Sequence, residues 1–145
     1  MVALASDHAG FEYKENVKRL LDQLGISYKD FGTFSVESTD YPDWAHRASE
    51  AIISGECDRG IFICGTGIGM SIIANKHKGI RAAACESTTA ARLSRQHNDA
   101  NVLAFGERIV GRESAGDIVR TFLSTSFEGG RHERRVNKIH SLTGL

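Results

Sequence analysis

Ile61-Phe-Ile-Cys-Gly-Thr-Gly-Ile-Gly-Met-Ser71 decides the fold. A short apolar run ends at Cys64. Gly65, Gly67 and Gly69 follow within one tight cluster, and Ser71 to Lys76 then carries a helical pattern. The order is strand, loop, helix. In a parallel α/β sheet such a junction lies at the carboxyl end of its strand, where loop amides and the helix N-terminus together favour negative charge. Cys64, at the lip of that loop, is a candidate reactive thiol. The spacing G-x-G-x-G departs from the dinucleotide fingerprint at Met70, and no G-K-[ST] follows, so neither nucleotide reading fits. What remains is an amide-lined cup for a small anion or a sugar oxygen, with the thiol and the Thr66 hydroxyl on its rim. The plainer account is a glycine-rich turn that packs a helix closely against a sheet.

Upstream, Val2 to Ala5 is another apolar run, followed by Ser6-Asp7-His8-Ala9-Gly10 and a helical pattern through Phe11, Val17, Leu20, Leu21 and Leu24 that Gly25 stops. Asp7 and His8 therefore belong to the same sheet edge as Cys64. Asp7 suits an N-cap, and the pair also suits a ligand. Ile26 to Phe31 is expected as the second strand. Pro42 fits the first turn of the next helix, with Tyr41 before it as a hydrophobic staple or a cover for the pocket. Downstream come a strand over Ile80 to Cys85, a helix over Ser87 to Gln96, and the polar junction His97-Asn98-Asp99-Ala-Asn101, where Asn98 suits a left-handed cap. The fifth strand is Val102 to Phe105. Arg108 follows it, then an amphipathic helix over Glu113 to Leu123. A last helix opens after Gly129-Gly130, and its Arg131 and Arg135 share a face one turn apart, a suitable clamp for phosphate or a solvated surface. Strands alternating with helices predict a three-layer α/β/α sandwich, Rossmann-like, with a five-stranded parallel sheet.

The chain of 145 residues suits one domain over its whole length. Lys plus Arg and Asp plus Glu are each 18, so no global field attracts nucleic acid or an anionic membrane. No apolar run is long enough to span a bilayer, and the N-terminus opens on a strand pattern rather than a signal peptide. Cys57, Cys64 and Cys85 are odd in number and lack metal-ligand spacing, which argues for a reducing, cytoplasmic setting and against a disulfide framework or a metal centre. Cys85 also ends a strand, but without a glycine loop it is expected to be structural.

Taken together, Ser6-Asp7-His8-Ala9-Gly10, Ser38-Thr-Asp-Tyr-Pro42, Cys64-Gly-Thr-Gly-Ile-Gly69, Ala74-Asn-Lys76, Arg95-Gln-His-Asn-Asp-Ala-Asn101 and Gly129-Gly-Arg-His-Glu-Arg-Arg135 closely resemble the ribose-5-phosphate isomerase B family, the RpiB/LacAB sugar-phosphate isomerases. The match runs nearly end to end. It implies a cofactor-free and metal-free aldose-ketose isomerase of the pentose phosphate pathway, working on ribose 5-phosphate through ring opening and a cis-enediolate. It also implies a homodimer, or a dimer of dimers, with active sites shared between subunits and the C-terminal helix from about residue 131 packed on a partner.

Carried over by the resemblance, Cys64 is the base, and Thr66 with the amides of Gly65, Gly67, Ile68 and Gly69 holds the enediolate oxygen. His97 is the ring-opening acid, helped by Asp7. His8, Arg108, Arg131 and Arg135 hold the phosphate, Asn98 holds a sugar hydroxyl, and Tyr41 lines the pocket. His97, Asn98 and Arg108 are expected from the neighbouring subunit. Met70 stands where another branch of the family carries a Glu base, so this chain falls in the Cys-base branch. Moving a proton between adjacent sugar carbons needs such a base and a site that stabilises developing negative charge. Isomerisation of a six-carbon phosphate (allose or galactose 6-phosphate) and a non-catalytic sugar-phosphate-binding module are the alternatives.

Overall fold

The computed structural model describes residues 1–145. In chain order the elements are β1 (Val2–Ser6), α1 (Phe11–Leu24), β2 (Tyr28–Asp30), α2 (Tyr41–Ile53), β3 (Arg59–Cys64), α3 (Ile68–Ala74), β4 (Ala82–Ala84), α4 (Thr88–Asn98), β5 (Val102–Gly106), α5 (Arg112–Ser124) and α6 (Arg131–Thr143). The five strands form one sheet in the order β2-β1-β3-β5-β4, every pair parallel. This is the expected α/β architecture. No helix is long and apolar enough to cross a membrane.

Strand side chains alternate between two cores, as the pleat requires. On one face Leu4, Ile61, Ile63, Leu103 and Phe105 meet Val17 and Leu21 of α1, Ala91 of α4 and Ile118, Val119 and Phe122 of α5. On the other, Ala3, Ala5, Phe62, Cys64 and Ala104 meet Ala45, Ala48 and Ala51 of α2 and Met70 and Ala74 of α3. Both faces are covered, which is why the central strands are continuously apolar. From β1 the chain moves outward to β2, crosses back to β3, and then continues to the other side. The strand order therefore reverses between β1 and β3, and the crevice at their carboxyl ends is where ligands bind in open α/β sheets.

Several boundaries differ from the sequence expectation. The outer strands are shorter: β2 is Tyr28–Asp30 and β4 is Ala82–Ala84, since an edge strand has a ladder on one side only. Helix α3 starts at Ile68, directly on the glycine loop. Helix α4 runs through Asn98, and Asp99 rather than Asn98 takes the left-handed cap at φ 46°. Ser87 caps its start, its hydroxyl accepting from the Ala90 amide. Asp7 is not the N-cap of α1. Gly10 holds that position, and its amide donates to Asp7 Oδ1 at 3.1 Å.

Candidate active site

Two groups of polar side chains emerge, on opposite edges of the sheet. The first gathers at the carboxyl ends of β1, β3 and β5. Cys64 is the last residue of β3 and is 5% exposed, its Sγ accepting from the Gly67 amide at 3.0 Å. Gly67 makes this turn possible: its φ is +79°, and a Cβ there would lie 2.6 Å from the Phe105 Cα. The Ile68 amide donates to Thr66 Oγ1 at 3.2 Å. The amides of Gly65 and Thr66 donate to no protein acceptor, which leaves two N–H groups beside the thiol for a developing oxyanion.

Around this loop the neighbouring strands supply the rest. Asp7 is buried, its backbone amide donating to the Ile63 carbonyl of β3 and its carboxylate accepting from the Gly10 amide. His8 Nδ1 accepts from the Thr39 amide at 3.2 Å. With Nδ1 accepting, a neutral ring carries its proton on Nε2 and presents a donor. The Tyr41 ring, at the start of α2, lies against Gly69, where a Cβ would come within 2.6 Å of it. Arg108 follows β5. Its amide donates to the Gly65 carbonyl, and its guanidinium lies about 3.4 Å from where a Gly65 Cβ would sit. Arg108 thus accompanies Cys64 in the same chain, a correction to the expectation that it arrives with His97 from a neighbour. The reason is the pairing of β3 with β5, which sets Cys64 beside Gly106.

The second group lies at the amino edge. Helix α4 runs back across the sheet, so His97 and Asn98 stand just before β5, whose first residue Val102 pairs with Gly60 at the far end of the Cys64 strand. Four residue steps along β3, from Gly60 to Cys64, separate those ends, about 13 Å. The Glu128 amide donates to the Gln96 carbonyl, bringing the start of α6 onto the end of α4. Arg131 and Arg135 therefore flank His97, not Cys64. His132 stacks on His97 with ring centroids 4.4 Å apart and planes 12° apart, and its Nε2 lies 3.4 Å from Glu128. Burial first, then the neighbouring His97 and Arg131, push the His132 imidazole below the ordinary histidine range. This stack has no local signature, since in the sequence His132 is one polar residue in a charged run. Arg108, Arg131 and Arg135 make no salt bridge to any carboxylate, so their charge is available to an anion. The other two thiols are different in kind: burial pushes Cys57 and Cys85 up, which suits structural cysteines.

The sequence profile described as Ribose/Galactose Isomerase matches residues 2–139. The chain belongs to that family. Within the ribose/galactose isomerases, it is 50% identical to ribose-5-phosphate isomerase B of Escherichia coli over 141 residues, covering 97% of this chain and 95% of that one. Among solved structures, ribose-5-phosphate isomerase B of Clostridium thermocellum superposes with a TM-score of 0.97 at 52% identity, covering 99% of this chain and 97% of that one. The Thermotoga maritima ribose 5-phosphate isomerase gives 0.94 at 56% identity, covering 97% of both. At these identities the family match carries more than the fold.

Proposed function

We propose that this chain interconverts D-ribose 5-phosphate and D-ribulose 5-phosphate, as a homodimer in which the carboxyl edge of one subunit and the amino edge of the other form each active site. The carrying observation is Cys64, a buried thiol held by the Gly67 amide next to two free N–H groups. The complementary halves on opposite edges support the dimer. So do exposed apolar side chains on helices that bear each half: Ile68 and Ile72 on α3 are 55% and 56% exposed, and Ile139 and Leu142 on α6 are 45% and 76% exposed.

In this mechanism the phosphate is held by Arg108 and the His8 Nε2–H of one subunit and by Arg131 and Arg135 of the other, which positions the sugar without entering the bond making. Ring opening breaks the C1–O4 bond. The protonated His97 gives its proton to O4, while Asp7 takes the proton from the C1 hydroxyl as the aldehyde forms. The Cys64 thiolate then removes the C2 proton. The electron pair moves into a C1–C2 double bond and the charge onto O1, where the Gly65 and Thr66 amides and the Thr66 hydroxyl stabilise it. Cys64 returns its proton to C1 while the proton on O2 passes to O1, which gives the ketose. Apart from the C1–O4 cleavage, every step is a proton transfer. The reading extends to a cytoplasmic setting, where the three free cysteines stay reduced.

The test is turnover of ribose 5-phosphate with NMR detection of C2 proton exchange with solvent. Exchange accompanied by ribulose 5-phosphate is expected. Ligand-dependent stabilisation without exchange contradicts the enzyme reading, and faster turnover of a six-carbon aldose phosphate contradicts the choice of substrate.

A further inference from the structure

Outside both halves of the isomerase site, three side chains converge on the layer formed by α2 and α3. His46 and Glu50 stand one turn apart on α2, and His77 lies in the turn after α3. His46 Nδ1 is 2.7 Å from His77 Nε2, and Glu50 Oε1 is 3.8 Å from the same nitrogen. One ligand atom from each residue falls within 4.8 Å of the other two. The other His77 nitrogen, Nδ1, is 2.9 Å from the Ile73 carbonyl oxygen. A carbonyl can only accept, so Nδ1 carries the proton and Nε2 directs its lone pair at His46 and Glu50. Metal-binding imidazoles are held in this way, the second nitrogen donating to a backbone carbonyl that fixes tautomer and ring orientation. The His77 side chain is 9% exposed and Glu50 59%. The anchoring ligand is therefore largely covered and held by the Ile73 carbonyl, and the opposite side is open to solvent.

We propose that His46, Glu50 and His77 form a binding site for a divalent transition ion of the Zn²⁺ class, with two imidazole nitrogens and one carboxylate oxygen as ligands and water in the remaining position. In the metal-free chain His46 Nδ1–H donates to His77 Nε2. The ion takes the place of that proton, which moves to His46 Nε2 as the ring changes tautomer, and the two nitrogens move apart to accommodate metal bonds of about 2.0–2.1 Å. The ion clips the middle of α2 to the end of α3. Tyr41 and the glycine loop sit at the opposite ends of those same helices, so the site stabilises the layer behind the pocket and takes no part in proton transfer.

Calorimetric titration of Zn²⁺ into the full chain, with Co²⁺ absorption as a second readout, tests this. His97, Glu128 and His132 form another cluster of the same type, so wild type is compared with His46→Ala, Glu50→Gln and His132→Asn. His46 is exposed, and its replacement keeps the fold. His46→Ala is expected to weaken Zn²⁺ binding by more than the roughly 10–100-fold that loss of an outer-shell partner costs. It should remove the Zn²⁺-induced rise in melting temperature and leave metal-free isomerase turnover unchanged. His132→Asn should retain the site. A wild-type chain that takes up no Zn²⁺, or one whose Zn²⁺ binding survives His46→Ala and Glu50→Gln but is lost in His132→Asn, overturns the proposal.

Discussion

His97 lies face to face with His132, the rings 4.4 Å between centroids, and the Glu128 carboxylate lies 3.4 Å from His132 Nε2. A buried, stacked partner fixes the plane of the proposed ring-opening acid. Replacing His97 with Ala should lower kcat on ribose 5-phosphate by about 10²–10⁴. The loss should largely vanish on a four-carbon aldose 4-phosphate, whose O4 is blocked and which cannot close to a furanose. His132→Ala should show the same substrate dependence with a smaller loss. Steady-state kinetics on both sugars provides the check, and equal losses on the two would remove His97 from ring opening.

The same stack makes stability depend on pH. Because burial and neighbouring positive charge depress the His132 imidazole, the unfolded chain binds that proton more readily than the folded one. Stability is therefore fully present above the unfolded value of about 6.5 and falls as pH drops through it towards the folded value. Thermal melts between about pH 8 and pH 5 should show wild type losing more stability on acidification than His132→Asn. Parallel curves would contradict a buried, neutral His132.

Lys14 is fully buried in α1, bonded to the Asp30 carboxylate and, at 2.5 Å, to the Thr33 carbonyl. Burial outweighs Asp30 and pushes the ammonium below the usual lysine range. The pair ties α1 to the segment leading to Thr39, which positions His8. Lys14→Met should cost roughly 3 kcal/mol, the low end for breaking a buried pair, because Lys18 remains 3.3 Å from Asp30. KM should rise along with it. Urea unfolding measures the first effect, and an unchanged midpoint contradicts the tie.

Cys64→Ala should abolish C2 proton exchange while leaving substrate binding nearly intact, since the thiol acts on a carbon and the phosphate is held elsewhere. Cys85→Ala should keep turnover. Equal exchange rates in wild type and Cys64→Ala would assign the base to another residue.

The central strands were legible because β1, β3 and β5 are buried on both faces and read as unbroken apolar runs. The edge strands were not, since Ile26, Phe31 and Ile80 look like strand residues but pack beyond the ladder's ends. The carboxyl-edge half of the site could be read directly, as Asp7, His8 and Cys64 each follow a recognisable strand. That Arg131 and Arg135 join His97 rather than Cys64 depends on α6 folding back onto α4, a tertiary fact with no local signature. The same holds for His46 and His77, which meet across 31 positions of sequence.

The shared site is the central claim, and subunit complementation tests it most directly. Cys64→Ala and His97→Ala, each inactive alone, are dissociated, mixed in equal amounts and reassociated. If each site takes Cys64 from one chain and His97 from the other, half the dimers are mixed and each regains one intact site, restoring about a quarter of wild-type turnover. A mixture as inactive as its two components would contradict an active site built across the two subunits.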